Sequence, residues 1–309
     1  MKPIKVTVPG SIMLLGEHAV LFGEKALACA VDKYIHLQLT PRSDRKVRID
    51  SALAQYESDL DQLAAEPRLS FVLAAVRRFA PALVCGFELS IRSEFSHTVG
   101  LGSSAAVTAG TVAALAAYSG QSTEPAALFD HALAVVHEVQ DGRGSGTDLV
   151  ASIYGSIVSY RVEPRQVVSL QGLPDISLYY AGYKTPTPEV LKRIEHQSQF
   201  QPMFYQQLYR LMGELTESAE AAVAAADWAG LGRIMNHYQG LMDALGVADL
   251  TLCDIIYRLR QSSRILGAKI SGSGLGDCVL ALGADPALAL NYEQIPVAVS
   301  EQGVSIEHH

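Results

Sequence analysis

The stretch Val99-Gly100-Leu101-Gly102-Ser103-Ser104-Ala105-Ala106 combines two glycines, two adjacent hydroxyls and the start of an alanine-rich helical run that ends near Tyr118. Glycine lets the backbone approach a ligand closely and adopt turns that other residues resist. A helix starting here aims its free N–H groups and the positive end of its dipole back at the loop. Together these make an anion site, most simply a phosphate site. Of Ser103 and Ser104, one can cap the helix and the other can reach a metal or a phosphate oxygen. The same letters satisfy the G-x-G-x-x-G/A dinucleotide fingerprint. Against that reading, the loop residues 93–99 separate Gly100 from the strand-like run 87–92, and no acidic residue closes a second strand at the expected distance. No Gly-Lys-Ser/Thr follows, which excludes a Walker A loop. A plain turn before a helix is the structural alternative.

Three other places carry chemistry. Gly142-Arg143-Gly144-Ser145-Gly146-Thr147-Asp148 puts a carboxylate behind three glycines and at the head of the apolar run 149–153. Such a carboxylate suits a general base, or else an N-cap aspartate. Glu17-His18, between apolar strands, reads as a pocket wall or as a solvated loop. Gly272-Ser273-Gly274, inside Gly267 through Cys278, is either a tight hairpin or a close approach to a substrate.

These residues need a scaffold, and the composition supplies one. The chain has 309 residues, nearly half of them hydrophobic, which is enough for two domains of roughly 150 residues each. A net charge of −8 argues against nucleic acid or an anionic membrane as partners. Cys29, Cys85, Cys253 and Cys278 form no C-x-x-C pair and lie in apolar segments, so reduced thiols and a cytoplasmic location are expected. No signal peptide is evident, and the uncharged stretch 99–123 reads as a buried helix behind a ligand loop rather than a membrane span.

Strands are expected at 4–8, ending at Pro9-Gly10, at 26–31 and 34–39, joined at Asp32-Lys33, and at 87–92. More are expected at 153–160, 176–181 and 278–282. Helical periodicity marks 68–80, 204–226, 229–245 and 252–263, and a further helix capped by Thr123 with Pro125 in its first turn. Charge and turn residues at 161–165 suggest the end of the first domain.

In this order, Pro9-Gly10 through Gly23, Gly100 through Ala106 and Gly267 through Cys278 resemble the three motifs of the GHMP kinases, over nearly the whole chain. Gly-Glu-His-Ala-Val and the stretch 231–274 resemble the mevalonate kinases of that family. The segment 140–154 and Gly276-Asp277-Cys278 are as similar to its phosphomevalonate kinases. The resemblance implies an α+β, two-domain GHMP kinase fold: a domain like the second domain of ribosomal protein S5 over 1–170 and a ferredoxin-like domain over 171–309. It implies ATP over the middle loop (Val99, Gly100, Leu101, Gly102, Ser103, Ser104, Ala105) and Mg²⁺ on Ser104.

By the same resemblance Asp148 takes or orients the acceptor proton, and Glu17, His18, Thr187, Gly272, Ser273 and Gly274 line the substrate side. The implied reaction is ATP-dependent phosphorylation of the primary hydroxyl of mevalonate. Phosphomevalonate is the alternative acceptor, and a nucleotide-binding protein without catalysis is the rival class. The expected partners are that small molecule and a second copy of the chain in a homodimer.

Two positions depart from the pattern. Ser11 stands where the mevalonate kinases carry a lysine. Arg143, tethered five residues before Asp148, is the expected substitute cation, with Lys184 as runner-up. The second metal ligand of the family is a glutamate about eleven residues before the aspartate. Here His137 holds that place, and Glu138, ten before, is carried over as the ligand.

Overall fold

The computed structural model describes residues 2–96 and 99–308. Seven strands form most of a first sheet: β1 (Ile4–Leu15), β2 (Ala26–Pro41), β3 (Lys46–Ser51), β4 (Gln55–Asp59), β5 (Phe87–Ser93), β6 (Ile157–Arg161) and β7 (Gln166–Leu170). A second sheet holds β8 (Ile176–Lys184), β9 (Gly267–Ser271), β10 (Gly276–Leu282) and β11 (Glu293–Ile295), in the order β11-β8-β10-β9. The last strand, β12 (Ser305–His308), returns to the first sheet, whose main path runs β12-β1-β2-β5-β3-β4, with β6 on β2 and β7 on β6.

Helices α1 (Ser70–Phe79), α2 (Ser103–Ser119), α3 (Pro125–Val139) and α4 (Thr147–Tyr154) pack with the first sheet. α5 (Thr187–Ser198), α6 (Pro202–Ala224), α7 (Trp228–Ala244) and α8 (Leu250–Leu259) go with the second. None of them is long and apolar enough to cross a membrane. α2 is buried almost all round, which its alanines permit, and touches β1, β2, α1, α3 and α4. That grip fixes the position of its first turn.

The strand expected to stop at Pro9-Gly10 instead runs on to Leu15. Its pairing with β2 slips between Pro9 and Gly10, and this bulge also takes up Asp32-Lys33, so the two strands expected there are one, β2. A bulge accommodates a proline that cannot donate to the ladder. Before the bulge Ile4, Val6 and Val8 enter the first core; beyond it Ile12 and Leu14 enter the second. β1 and β2 therefore carry the connection between the two cores. The run 149–153 is helical and the following strand begins only at Ile157, because Gly155 (φ +75°) breaks the chain direction in between.

Residues 1–170 and 171–295 map onto the two sheets. The tail then crosses back: the Ala298 N–H donates to Asp32 Oδ1 (2.7 Å), the Ser300 N–H to the Ala30 carbonyl (2.9 Å), and β12 pairs antiparallel with β1. We propose a domain boundary near 170/171 with the tail belonging to the first domain rather than the second.

Candidate active site

The three Gly-rich segments meet. The Ser11 N–H donates to the Leu101 carbonyl (3.0 Å), so the bulge in β1 rests on the middle loop. Gly102 is left-handed (φ +63°), and a Cβ there would overlap Ser11 Oγ. A Cβ on Gly100 would overlap the Asp277 carboxylate from the start of β10. Neighbours require glycine at both positions, and at Gly102 the left-handed backbone requires it as well.

Gly102 is also the N-cap of α2 and, as a glycine, offers no side chain to cap it. The expected serine cap is therefore absent. The first N–H groups of α2 are left to Ser103, Ser104 and Ala105 without an intrahelical partner, the arrangement suited to an anion. Ser104 is exposed at the second residue of the helix. Two loop residues differ from their expected role. The Leu101 side chain is buried in the second core and its N–H is already given to the Val99 carbonyl (2.7 Å). Val99 packs against the same core.

Asp148 is the second residue of α4, whose N-cap is Gly146 (φ +83°), so it is not an N-cap aspartate. The Ser145 carbonyl, held by the Tyr160 hydroxyl (2.8 Å), fixes the turn before it. Ser11 Oγ donates to Asp148 Oδ1 at 3.1 Å. Burial pushes the Asp148 carboxyl above the usual carboxylate range. The Ser11 hydrogen bond and the charge of Lys184 act against that rise, and the nearby Asp277 adds to it. Lys184 Nζ lies 2.7 Å from Asp277 Oδ2.

On the other side, His18, Thr187 and Ser273 come together. His18 Nε2 donates to the Ser273 carbonyl (2.9 Å), and Thr187 Oγ1 lies 3.4 Å from Ser273 Oγ. His18 has φ +63°, unusual for a residue with a side chain, and burial lowers its pKa to about 4. It is neutral near pH 7, with Nε2 protonated toward Ser273. The loop it touches bends sharply through Gly272 (φ +92°) and Gly274 (φ +85°), where a Cβ on Gly274 would overlap the Val247 carbonyl.

Three sequence expectations are corrected. Glu17 does not line an open pocket. It is 2 % exposed, and its Oε1 accepts from Lys269 Nζ (2.5 Å), itself fully buried. Tyr238, under the Lys269 ammonium, donates to the Glu17 carbonyl and accepts from the Gly16 N–H, both at 3.0 Å. Glu17 thus ties the first motif to α7 and β9.

Glu138, carried over as the second metal ligand, is engaged elsewhere in this structure. It faces away, paired with Arg77 of α1 (3.0 Å), while its neighbour His137 donates to the Gly144 carbonyl (3.0 Å) in the loop before Asp148. Arg143 is exposed in that loop, and the positive charge acting on Asp148 is that of Lys184. Sequence reasoning missed Asp277, Lys269 and Tyr238 as partners. An open concavity of about 600 Å³ lies elsewhere, on the outer face of β2, β3, β4 and β5. Its walls include Arg48, Glu57 and Glu88, which pair with one another.

Comparison with known proteins adds to this geometry. A family model described as "GHMP kinases N terminal domain" matches residues 70–156, and one described as "GHMP kinases C terminal" matches 219–292, together just over half of the chain. A mevalonate kinase of Thermococcus sibiricus is 28% identical over 333 aligned positions, covering 98% of each chain. A solved Lin0012 protein from Listeria innocua superposes with a TM-score of 0.86 at 21% identity, over 99% of both chains. A mevalonate kinase of L. major, solved with R-mevalonate, superposes with a TM-score of 0.76 at 22% identity, over 97% of this chain and 96% of that one.

Proposed function

The chain belongs to the GHMP kinases, a family of ATP-dependent kinases, and from that membership we propose that it phosphorylates the primary hydroxyl of mevalonate. The observation that carries the proposal is the Ser11–Asp148 hydrogen bond (3.1 Å) beside the start of α2, whose N-cap is a glycine. It brings a carboxylate of perturbed acidity next to an anion cradle, where phosphoryl transfer needs both.

In this reading the nucleotide phosphates rest on the N–H groups of Ser103, Ser104 and Ala105. Gly100 and Gly102 keep that approach clear of side chains. Asp148 accepts the proton of the acceptor hydroxyl, and His18, Thr187 and Ser273 face the acceptor. The mevalonate kinase names of the curated relatives favour mevalonate as that acceptor. The segment 140–154 and Gly276-Asp277-Cys278 are the features that favour phosphomevalonate instead.

Magnesium fits this site. Among the described residues no three His, Cys, Asp or Glu side chains cluster to trap a metal unaided. Mg²⁺ characteristically keeps waters and binds one or two protein groups plus substrate phosphates. The exposed Ser104 hydroxyl would hold it, and the ion would neutralise phosphate charge. Free thiols at all four cysteines support the cytoplasm as the working compartment. We further propose a homodimer as the working assembly, a state that sedimentation measures.

The test is ADP release with mevalonate and, separately, with phosphomevalonate. Turnover of mevalonate is expected. Turnover of phosphomevalonate alone replaces the acceptor, and nucleotide binding without ADP for any acceptor replaces the enzyme by a nucleotide-binding protein.

A further inference from the structure

Two carboxylates, Asp148 and Asp277, stand close to a loop that would hold phosphates. Phosphoryl transfer gathers more negative charge at the same point. The first motif offers the Ser11 hydroxyl there, and Arg143 is exposed in the loop before Asp148. Lys184, the last residue of β8, sits opposite Gly276 in the β8–β10 pairing. The register slips between Gly276 and Cys278, and Asp277 takes a left-handed conformation (φ +67°). Its carboxylate is thereby turned against Gly100 of the middle loop.

Asp277 Oδ2 holds the Lys184 ammonium at 2.7 Å, while Oδ1 is buried with no hydrogen-bond partner among the described residues. An ammonium carries three donors, so this contact leaves others free. The Lys184 side chain keeps 36 % of its surface open, whereas that of Asp277 keeps 8 %. A buried carboxylate oxygen facing a phosphate loop repels the ligand unless a cation stands beside it.

We propose that Lys184 is a catalytic residue that places its ammonium on the phosphoryl group in flight, and that Asp277 is the positioning residue that holds it there. The inference rests on the kinase reading above. In the step, the acceptor oxygen forms its bond to Pγ as the bond from Pγ to the bridging oxygen breaks. ADP leaves with that electron pair, and the hydroxyl proton passes to Asp148. Lys184 exchanges no proton; it neutralises charge on the transferred oxygens.

The experiment compares Lys184→Met, Lys184→Gln, Lys184→Arg, Asp277→Asn and the Lys184→Met/Asp277→Asn double variant. Each is measured for kcat and KM by ADP release, with whichever acceptor the wild type uses, and for binding of a non-hydrolysable ATP analogue by calorimetry. Two uncharged variants guard against a folding defect in one.

Both should lose roughly 10²-fold in kcat, the scale of one lost transition-state donor, with analogue affinity changed by less than about threefold. Lys184→Arg should retain at least about a tenth of the wild-type kcat. Asp277→Asn should lose about tenfold alone and nothing further in the Lys184→Met background, since the two act as one unit. A wild-type kcat in Lys184→Met or Lys184→Gln, or additive losses in the double variant, overturns the inference and leaves the kinase reading standing. A wild-type protein that forms no ADP with any acceptor overturns the kinase reading and this inference with it.

Discussion

Two lysine–carboxylate pairs lie on the second sheet's side of the site, and they differ in one respect. Lys269 and Glu17 meet at 2.5 Å with side chains 0 % and 1 % exposed. Lys184 and Asp277 meet at 2.7 Å with side chains 36 % and 8 % exposed. The chemistry of the contact is the same, but the access is not. The sealed pair presents no open surface to a ligand and joins the first motif to α7 and β9. Burial raises the Glu17 carboxyl and lowers the Lys269 ammonium, while each partner's charge opposes that trend in the other. The open pair has a donor left over and an anion loop beside it. A charged pair can therefore be a rivet or a tool, depending on whether one end reaches water.

Removing one partner of each pair separates the two roles most widely. Lys269→Ala takes the cation from the buried Glu17 and should cost about 3–5 kcal/mol of stability. Lys184→Ala should cost roughly 1–2 kcal/mol, since the partly exposed side chain it removes leaves room for water beside Asp277. Urea denaturation of both variants measures the difference. Equal losses would erase the distinction between rivet and tool.

The same contrast holds between carboxylates. Asp148→Asn should lower kcat by roughly 10²-fold or more, the scale of a lost general base, with the unfolding midpoint nearly unchanged. Glu17→Gln should do the reverse, lowering the midpoint while leaving the surviving folded fraction active. Single-turnover kinetics and denaturation on the same samples decide it. An active Asp148→Asn enzyme would reduce Asp148 to a favourable charge in the first turn of α4.

Much of the phosphate side was legible because its geometry demands particular residue types. Gly100 and Gly102 have no room for a Cβ, and Asp148 follows a loop whose glycines at 142, 144 and 146 all take positive φ. The acceptor side was harder to read because its partners are remote. Lys269 lies 252 residues from Glu17, and nothing local announces that the pair is sealed. Glu138 was carried over on chain spacing, which does not give direction: adjacent helical residues point about 100° apart, so His137 faces the loop before Asp148 and Glu138 faces Arg77. Arg143 was tied to Asp148 by chain distance, which fixes reach but not direction. α5 escaped notice because Pro186 and Pro188 suggest a loop, yet Pro188 occupies its first turn, where a missing N–H costs nothing. β4 alternates between exposed and half-buried positions and offers no apolar stripe to read.

His18 extends the comparison to the acceptor loop. Its pKa falls from 6.5 to about 4 on folding because burial disfavours the imidazolium. Between those two values the unfolded chain binds a proton that the folded chain does not. The contribution is therefore complete above pH 6.5 and lost as pH falls toward 4, by about 3 kcal/mol in total. His18→Asn keeps a residue that tolerates positive φ and removes the titration. The stability gap between wild type and variant should narrow as pH is lowered from 7 to 4.5 in urea titrations. A gap independent of pH would mean that His18 is not held neutral by its surroundings.

The smallest expected effect belongs to Ser11, which touches the open side of the site without carrying charge. Its hydroxyl donates to Asp148 Oδ1 and so favours the ionised carboxylate, against the burial and the Asp277 charge that favour the neutral acid. Removing the donor in Ser11→Ala takes away one of the two influences that hold the Asp148 pKa down, so that pKa should rise further. Only the carboxylate can accept the acceptor's proton. The acid limb of the pH profile of kcat/KM should therefore move to higher pH, by about half a unit to one unit for a hydrogen bond worth roughly 1 kcal/mol. The plateau at higher pH should stay near the wild-type level, because both enzymes are ionised there. Lys184→Met should move the same limb in the same direction but should also depress the plateau, since it removes charge from the transferred group as well. A Ser11→Ala limb that stays in place, or moves to lower pH, would detach the hydroxyl from the acidity of Asp148 and leave Ser11 as a packing contact for Gly102.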